Sequence, residues 1–128
     1  MSRQKEKGTR FETAVLGYLR ARIGDPEGMI HREAQHGNAD EGDIKGLYIH
    51  KKSLVLECKD CNKFELSIWL GQAQDEAANA GTDYGMVVFH RPGRGGKRMR
   101  DQYVLMDLDT LARLAGAPDD EEEEDDDE

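Results

Sequence analysis

The chain has 128 residues, 37% of them hydrophobic and 35% charged, with a formal net charge of −9. That length suits one domain with its own core; no run approaches the roughly 20 apolar residues of a transmembrane helix, and no signal-peptide core follows the polar start MSRQKEKGTR, so a cytoplasmic protein is expected. Two cysteines, Cys58 and Cys61, are too few for a disulfide framework and fit a reducing compartment.

The average charge hides two populations. Residues 119–128, DDEEEEDDDE, are all acidic, so residues 1–118 carry 18 basic against 17 acidic side chains. Within that near-neutral part the cations cluster at residues 3–10 and 91–100, as local phosphate-binding patches require.

In chain order, residues 1–7 read as a basic, loose arm. Thr9 to Glu12 has the form of a capping box, and Phe11, Val15, Leu19 and Ile23 recur every four residues, which predicts an amphipathic helix to about Arg22. Asp25-Pro26 between Gly24 and Gly28 turns the chain, and residues 29–34 read as a short strand. A small-residue, polar loop, QHGNADE, follows. Residues 44–49 and 53–59 then form two strands, with His50, Lys51 and Lys52 as the hairpin turn.

Alanine and glutamine content predicts a helix over residues 67–80, stopped by Gly81, with Trp69, Ala73, Ala77 and Ala80 on one apolar face and Ile68, Gln72, Asp75 and Glu76 near another. The run YGMVVFH at residues 84–90 reads as a strand covered on both sides. Residues 91–100 form a glycine-rich loop with five cations, residues 102–108 a last strand, and residues 109–115 a closing helix. The expected architecture is α/β: a central mixed sheet of about five strands flanked by helices, spanning residues 8–117. Ten consecutive acids bury no apolar surface and repel one another, so residues 118–128 are expected to be a disordered tail, a solubilising extension or a ligand for a basic partner.

The stretch GDIKGLYIHKKSLVLECK, residues 42–59, carries the chemistry. With period two, Val55, Glu57 and Lys59 face one way and Leu54, Leu56 and Cys58 the other. A turn centred on His50 sets Asp43 opposite Glu57, and a turn one or two residues later leaves them diagonal. Two carboxylates so placed take up a proton or bind a cation, and their oxygens favour a hard ion such as Mg²⁺ or Mn²⁺. Lys59 adds a positive charge where a phosphate oxygen or an attacking water would sit.

An Asp, a hairpin-length gap and Glu-x-Lys, preceded by a helix bearing a Glu, resembles the PD-(D/E)xK nuclease superfamily, in particular its archaeal-type Holliday junction resolvases and related phage nucleases. The resemblance covers about residues 7–114 and departs where Gly42, not proline, precedes Asp43. It implies a restriction-endonuclease-like core and a Mg²⁺-dependent endodeoxyribonuclease acting on branched DNA as a homodimer, leaving a 5′-phosphate and a 3′-hydroxyl. Asp43, Glu57, the Cys58 backbone carbonyl and Glu12 would hold the metal, with Lys59 catalytic. Glu12 serves equally as a capping residue. In these families a helix glutamine points toward the site; Gln72 is the best positional match and Gln74 the second, and a surface glutamine fits as well.

His36 is a candidate phosphate contact or proton carrier, or a solvated loop histidine. Lys7, Arg10, Arg91, Arg94, Lys97 and Arg98 are the candidate clamps on a DNA backbone; the alternative for the loop is a solvated hairpin. Other readings are the same chemistry on flaps, nicks or linear duplex, a non-catalytic junction-binding module, and a recombination regulator acting through its acidic tail. Cys58-Lys-Asp-Cys61 with His50 or His90 is a rival zinc site, weak for want of a second cysteine pair.

Overall fold

Alternating apolar and polar residues around a two-residue turn build the hairpin at the centre of the sheet. The computed structural model describes residues 3–25, 27–33, 40 and 42–119, of residues 4 and 5 the backbone only; His36 and residues 120–128 lie outside the described residues. The elements run α1 (Arg3–Ile23), β1 (His31–Arg32), β2 (Ile44–Ile49), β3 (Lys52–Lys59), α2 (Leu66–Asn79), β4 (Tyr84–Phe89), a 3-10 helix (Gly96–Asp101), β5 (Tyr103–Leu105) and α3 (Leu108–Leu114). The five strands form one sheet in the order β1-β2-β3-β4-β5, with β3 and β4 parallel and the other pairs antiparallel. This is the mixed, helix-flanked α/β sheet expected.

His50 and Lys51 close the hairpin with φ of 51° and 68°, the left-handed pair of a tight primed turn, without the Asn-Gly that usually supplies it. Ile49 pairs with Lys52 and Leu47 with Leu54, but Ile44 pairs with Leu56, so β2 bulges by one residue between Ile44 and Leu47. Gly46 sits in this bulge at φ 89°, where a Cβ would overlap the Met29 carbonyl. The bulge has a consequence for Asp43. It restores the register that a turn centred on His50 would give and brings Asp43 back beside Glu57.

The two faces of β3 part as period two requires. Leu54, Leu56 and Cys58 join Phe11, Val15 and Leu16 of α1, Ile44 and β4's Met86 and Val88 in the larger core. On the other face, α2 lays Trp69 and Ala73 over Val87 and Phe89. Ile44, Leu54, Val55 and Val87 are the largest fully buried side chains, each contributing roughly 1.5–3 kcal/mol by burial. The approach of α2 is close because Gly85 has no side chain: a Cβ there would overlap the Ala73 carbonyl.

Several local expectations are corrected. Residues 3–8 are not a loose arm but the first turns of α1, since Lys, Glu and Arg are good helix formers. Thr9 therefore lies inside a helix and caps nothing, so the capping role of Glu12 falls away. The basic loop is partly a 3-10 helix, and its Met99 packs against the larger core. β1 is limited to His31–Arg32 and β5 to Tyr103–Leu105. Asp119, the first acid of the expected tail, accepts hydrogen bonds from the Tyr84 hydroxyl at 2.9 Å and from Arg113 at 3.0 Å. No helix among the described residues is long and apolar enough to cross a membrane.

Candidate active site

Four elements deliver polar side chains to one edge of the sheet: α1, the start of β2, the end of β3 and α2. Asp43 is fixed through its backbone, whose N–H donates to the Leu56 carbonyl and whose carbonyl accepts from Glu33 N–H, both at 2.9 Å. Its carboxylate Oδ2 accepts the Cys58 N–H at 2.8 Å. The preceding Gly42 has φ 92°, which proline's ring forbids, and a Cβ there would overlap Val55 Cγ1. Glycine in place of proline at this step is thus required by the local path of the chain.

Glu57 and Lys59 stand on the same face of β3, with Lys59 Nζ 3.4 Å from Glu57 Oε2. Glu12 is half-buried and receives Arg32 Nη2 at 2.8 Å. Its charge is felt at Asp43: burial, then the charge of Glu57, push that carboxyl up to about 7, the Cys58 N–H opposes the rise, and Glu12 and Asp40 add to it. Cys58 fills the larger core, and burial, followed by the charge of Asp43, holds its thiol well above the ordinary range. Cys61 is exposed.

The residue of α2 that reaches this group is Glu76, not Gln72. Gln72 is exposed, and Gln74 instead donates to Asp107 at 2.9 Å. Glu76 shares the buried face of α2 with Trp69, Ala73 and Ala77 and is only 7% exposed. Burial, a hydrogen bond with Glu57 and the charges of Glu57, Asp40 and Asp43 push its carboxyl up to about 10. The helical spacing 69, 73, 76, 77 was the available signal; a glutamate in an alanine-rich helix reads first as a surface residue.

The acid-rich edge fits a hard cation. Glu57 Oε1 and Glu76 Oε1 are buried without a hydrogen-bond partner, and burial and then the charge of Glu57 raise Asp43, so the carboxyls here outnumber the cations beside them and a bound cation would relieve their crowding. Among the described residues no three acidic, imidazole or thiol groups already stand where they would hold a metal together. Mg²⁺ does not require that, since it keeps several waters and is held by one or two carboxylates plus substrate phosphates.

The candidate phosphate contacts differ in how far they are committed elsewhere. Lys7 Nζ lies 3.6 Å from Asp60, which also faces His90 Nδ1 at 3.7 Å, while Arg10 is exposed. Arg91 stacks 5.3 Å over Tyr103, and Arg94 and Arg98 share Asp101 at 3.4 and 2.9 Å. Lys97 is exposed and lines an open groove of about 640 Å³ with Arg22 and Arg100, against Ala14 and Gly17 of α1. The loop leaves the sheet beside the site, because the His90 N–H donates to the Lys59 carbonyl at 3.0 Å. No protein-family model, curated protein or solved structure matches the chain.

Proposed function

We propose that this protein is a Mg²⁺-dependent endodeoxyribonuclease with a restriction-endonuclease-like core, resembling the resolvase branch of the PD-(D/E)xK superfamily, and that it cuts branched DNA as a homodimer. The observation that carries the reading is the meeting of Asp43 with Glu57 across a bulged hairpin, with Lys59 at 3.4 Å from Glu57. A fold has no need to hold repelling acids in register at a partly open edge; a site for a cation and a phosphate does.

Asp43 and Glu57 would hold the ion, with Glu12 and the Cys58 carbonyl as further candidates. When bound, the cation would activate an attacking water and offset charge growing on the phosphate. Lys59 orients the nucleophile and donates toward the phosphate oxygens, held in place by Glu57. Arg10, Lys97 and the Arg91–Arg98 side of the basic loop position the DNA backbone without reading its sequence. Since each chain offers one such site, paired cuts in a junction call for two copies. The acidic tail extends past Asp119 as a candidate ligand for a basic partner.

The test is cleavage of a labelled four-way junction and a matched linear duplex with Mg²⁺, Mn²⁺, Ca²⁺ or EDTA. Cutting with Mg²⁺ or Mn²⁺ and preference for the junction are expected. Asp43→Asn and Lys59→Ala should each lower the rate by about 100-fold or more with unchanged folding. Mg²⁺-dependent cutting retained in both variants would end the assignment. Tight junction binding that is equal in EDTA and Mg²⁺, with no cutting, would instead make the protein a binding module.

A further inference from the structure

The face of the sheet that carries Lys59 continues into a row of aromatic rings. Residues paired across neighbouring strands point to the same side, and Lys59 of β3 pairs with Phe89 of β4, which pairs in turn with Tyr103 of β5. Phe89 meets Tyr103 at 5.1 Å between ring centroids, Phe64 at 5.2 Å and Trp69 at 5.4 Å. Phe64 lies in the segment that leaves β3 directly after Lys59. Tyr103 stands two strand spacings from Lys59, about 10 Å.

Burial explains two of these rings and not the other two. Trp69 and Phe89 are core residues, 3% and 6% exposed, whereas Phe64 and Tyr103 leave 40% and 38% of their surface in water. Leu66 and Ile68, just after Phe64 in the chain, are exposed as well. Among the described residues no ring stacks flat on either exposed one: Phe64 is inclined 58° to Trp69 and 85° to Phe89, and Tyr103 55° to Phe89. Cations flank both. Lys63 is exposed beside Phe64, and the Arg91 guanidinium lies 5.3 Å from the centroid of the Tyr103 ring. Exposed rings among cations suit a single strand of nucleic acid, whose bases offer flat faces and whose phosphates need positive charge.

We propose that Phe64 and Tyr103 form a stacking site for unpaired bases of a DNA strand, placed so that a strand parted from its complement at a branch point is held beside Lys59. Bases inside an intact duplex are already stacked on one another and offer no face to the rings, so the site favours DNA that carries unpaired bases near the cut. This inference rests on the nuclease reading and deepens it by naming the feature of the substrate that is recognised.

The experiment is fluorescence anisotropy in EDTA with two labelled probes, a short oligothymidylate and an abasic strand of the same length and charge. Phosphate binding is common to both, so the difference between them reads base stacking alone. The wild-type chain should hold the oligothymidylate about 5- to 150-fold more tightly than the abasic strand. Tyr103→Leu and Phe64→Leu should each reduce that preference by about 5-fold or more and leave the affinity for the abasic strand unchanged. Thermal melts check the fold; should either variant unfold, methionine at the same position, apolar but without a flat face, takes its place. Equal binding of the two strands by the wild type would overturn the proposal, and so would a Tyr103 variant that keeps the full preference. Base-dependent binding in a chain that cuts no junction would end the nuclease reading and leave the stacking site standing, while cutting without base-dependent binding would do the reverse.

Discussion

The acids at the hairpin edge and the acids around α3 are the same residue types under opposite forces. Asp107 caps α3, accepting Thr110 N–H at 2.8 Å and Gln74 at 2.9 Å, and hydrogen bonds from the Thr110 side chain first, then its N–H and Gln74, hold its carboxyl below the ordinary range. Asp119 is lowered by Arg113 and the Tyr84 hydroxyl, and Asp101 by Arg98. Asp43 and Glu76 move the other way, to about 7 and about 10, because burial and other carboxyls surround them. Acids that serve the fold are supplied with donors. At the hairpin edge the donors, Cys58 N–H on Asp43 and Lys59 beside Glu57, are outweighed for Asp43 and Glu76 by burial and neighbouring carboxyls, which is the contrast the proposed cation site rests on.

The sharpest way to break this contrast is to neutralise one acid of the hairpin edge. Glu57→Gln should lower cleavage by about 100-fold or more while leaving metal-free stability equal or higher, since it removes a repelling charge. Unfolding of that variant on thermal melting would place Glu57 among the structural acids. A second handle is pH. Glu76 and Asp43 hold protons in the fold at pH values where the unfolded chain has released them. Metal-free stability should therefore fall as pH rises from about 4.5 through about 7 toward about 10, and Glu76→Gln should flatten the upper part of that fall. Asp101, Asp107 and Asp119 work in the opposite sense: their stabilisation is present above the ordinary carboxylate value of 3.8 and is lost on acidification. Urea titrations across pH, with EDTA present, would show both limbs. The smallest effect belongs to the cap: Asp107→Ala should cost about 1 kcal/mol of stability and leave cleavage intact.

Much of the hairpin edge was legible in the sequence because strands have a strict period. Alternation alone puts Leu54, Leu56 and Cys58 in the core and Glu57 and Lys59 together on the other face, and the hairpin length brings Asp43 across from Glu57. The route was less legible than the outcome. The turn lies between His50 and Lys51, and the bulge at Gly46 makes up the difference, an irregularity that depends on the Met29 carbonyl of a neighbouring segment. Glu76 was hidden for a related reason: whether a residue at the border of a helical stripe is buried depends on how closely the helix approaches, and here Gly85 lets α2 come close. Polarity misled at residues 3–8, which are charged but also strong helix formers, and at residues 91–100, where glycines read as a loop while Met99 anchors a 3-10 turn to the core.

Calorimetric titration with Mn²⁺ at pH 7, in two buffers that differ in ionisation enthalpy, tests the cation-seeking character of the Asp43–Glu57 pair most directly. The wild-type chain should bind the ion and release protons on binding, because Asp43 is partly protonated at that pH, and Asp43→Asn should do neither. A wild-type chain that takes up no Mn²⁺, or an Asp43→Asn variant that binds it unchanged, would contradict the account.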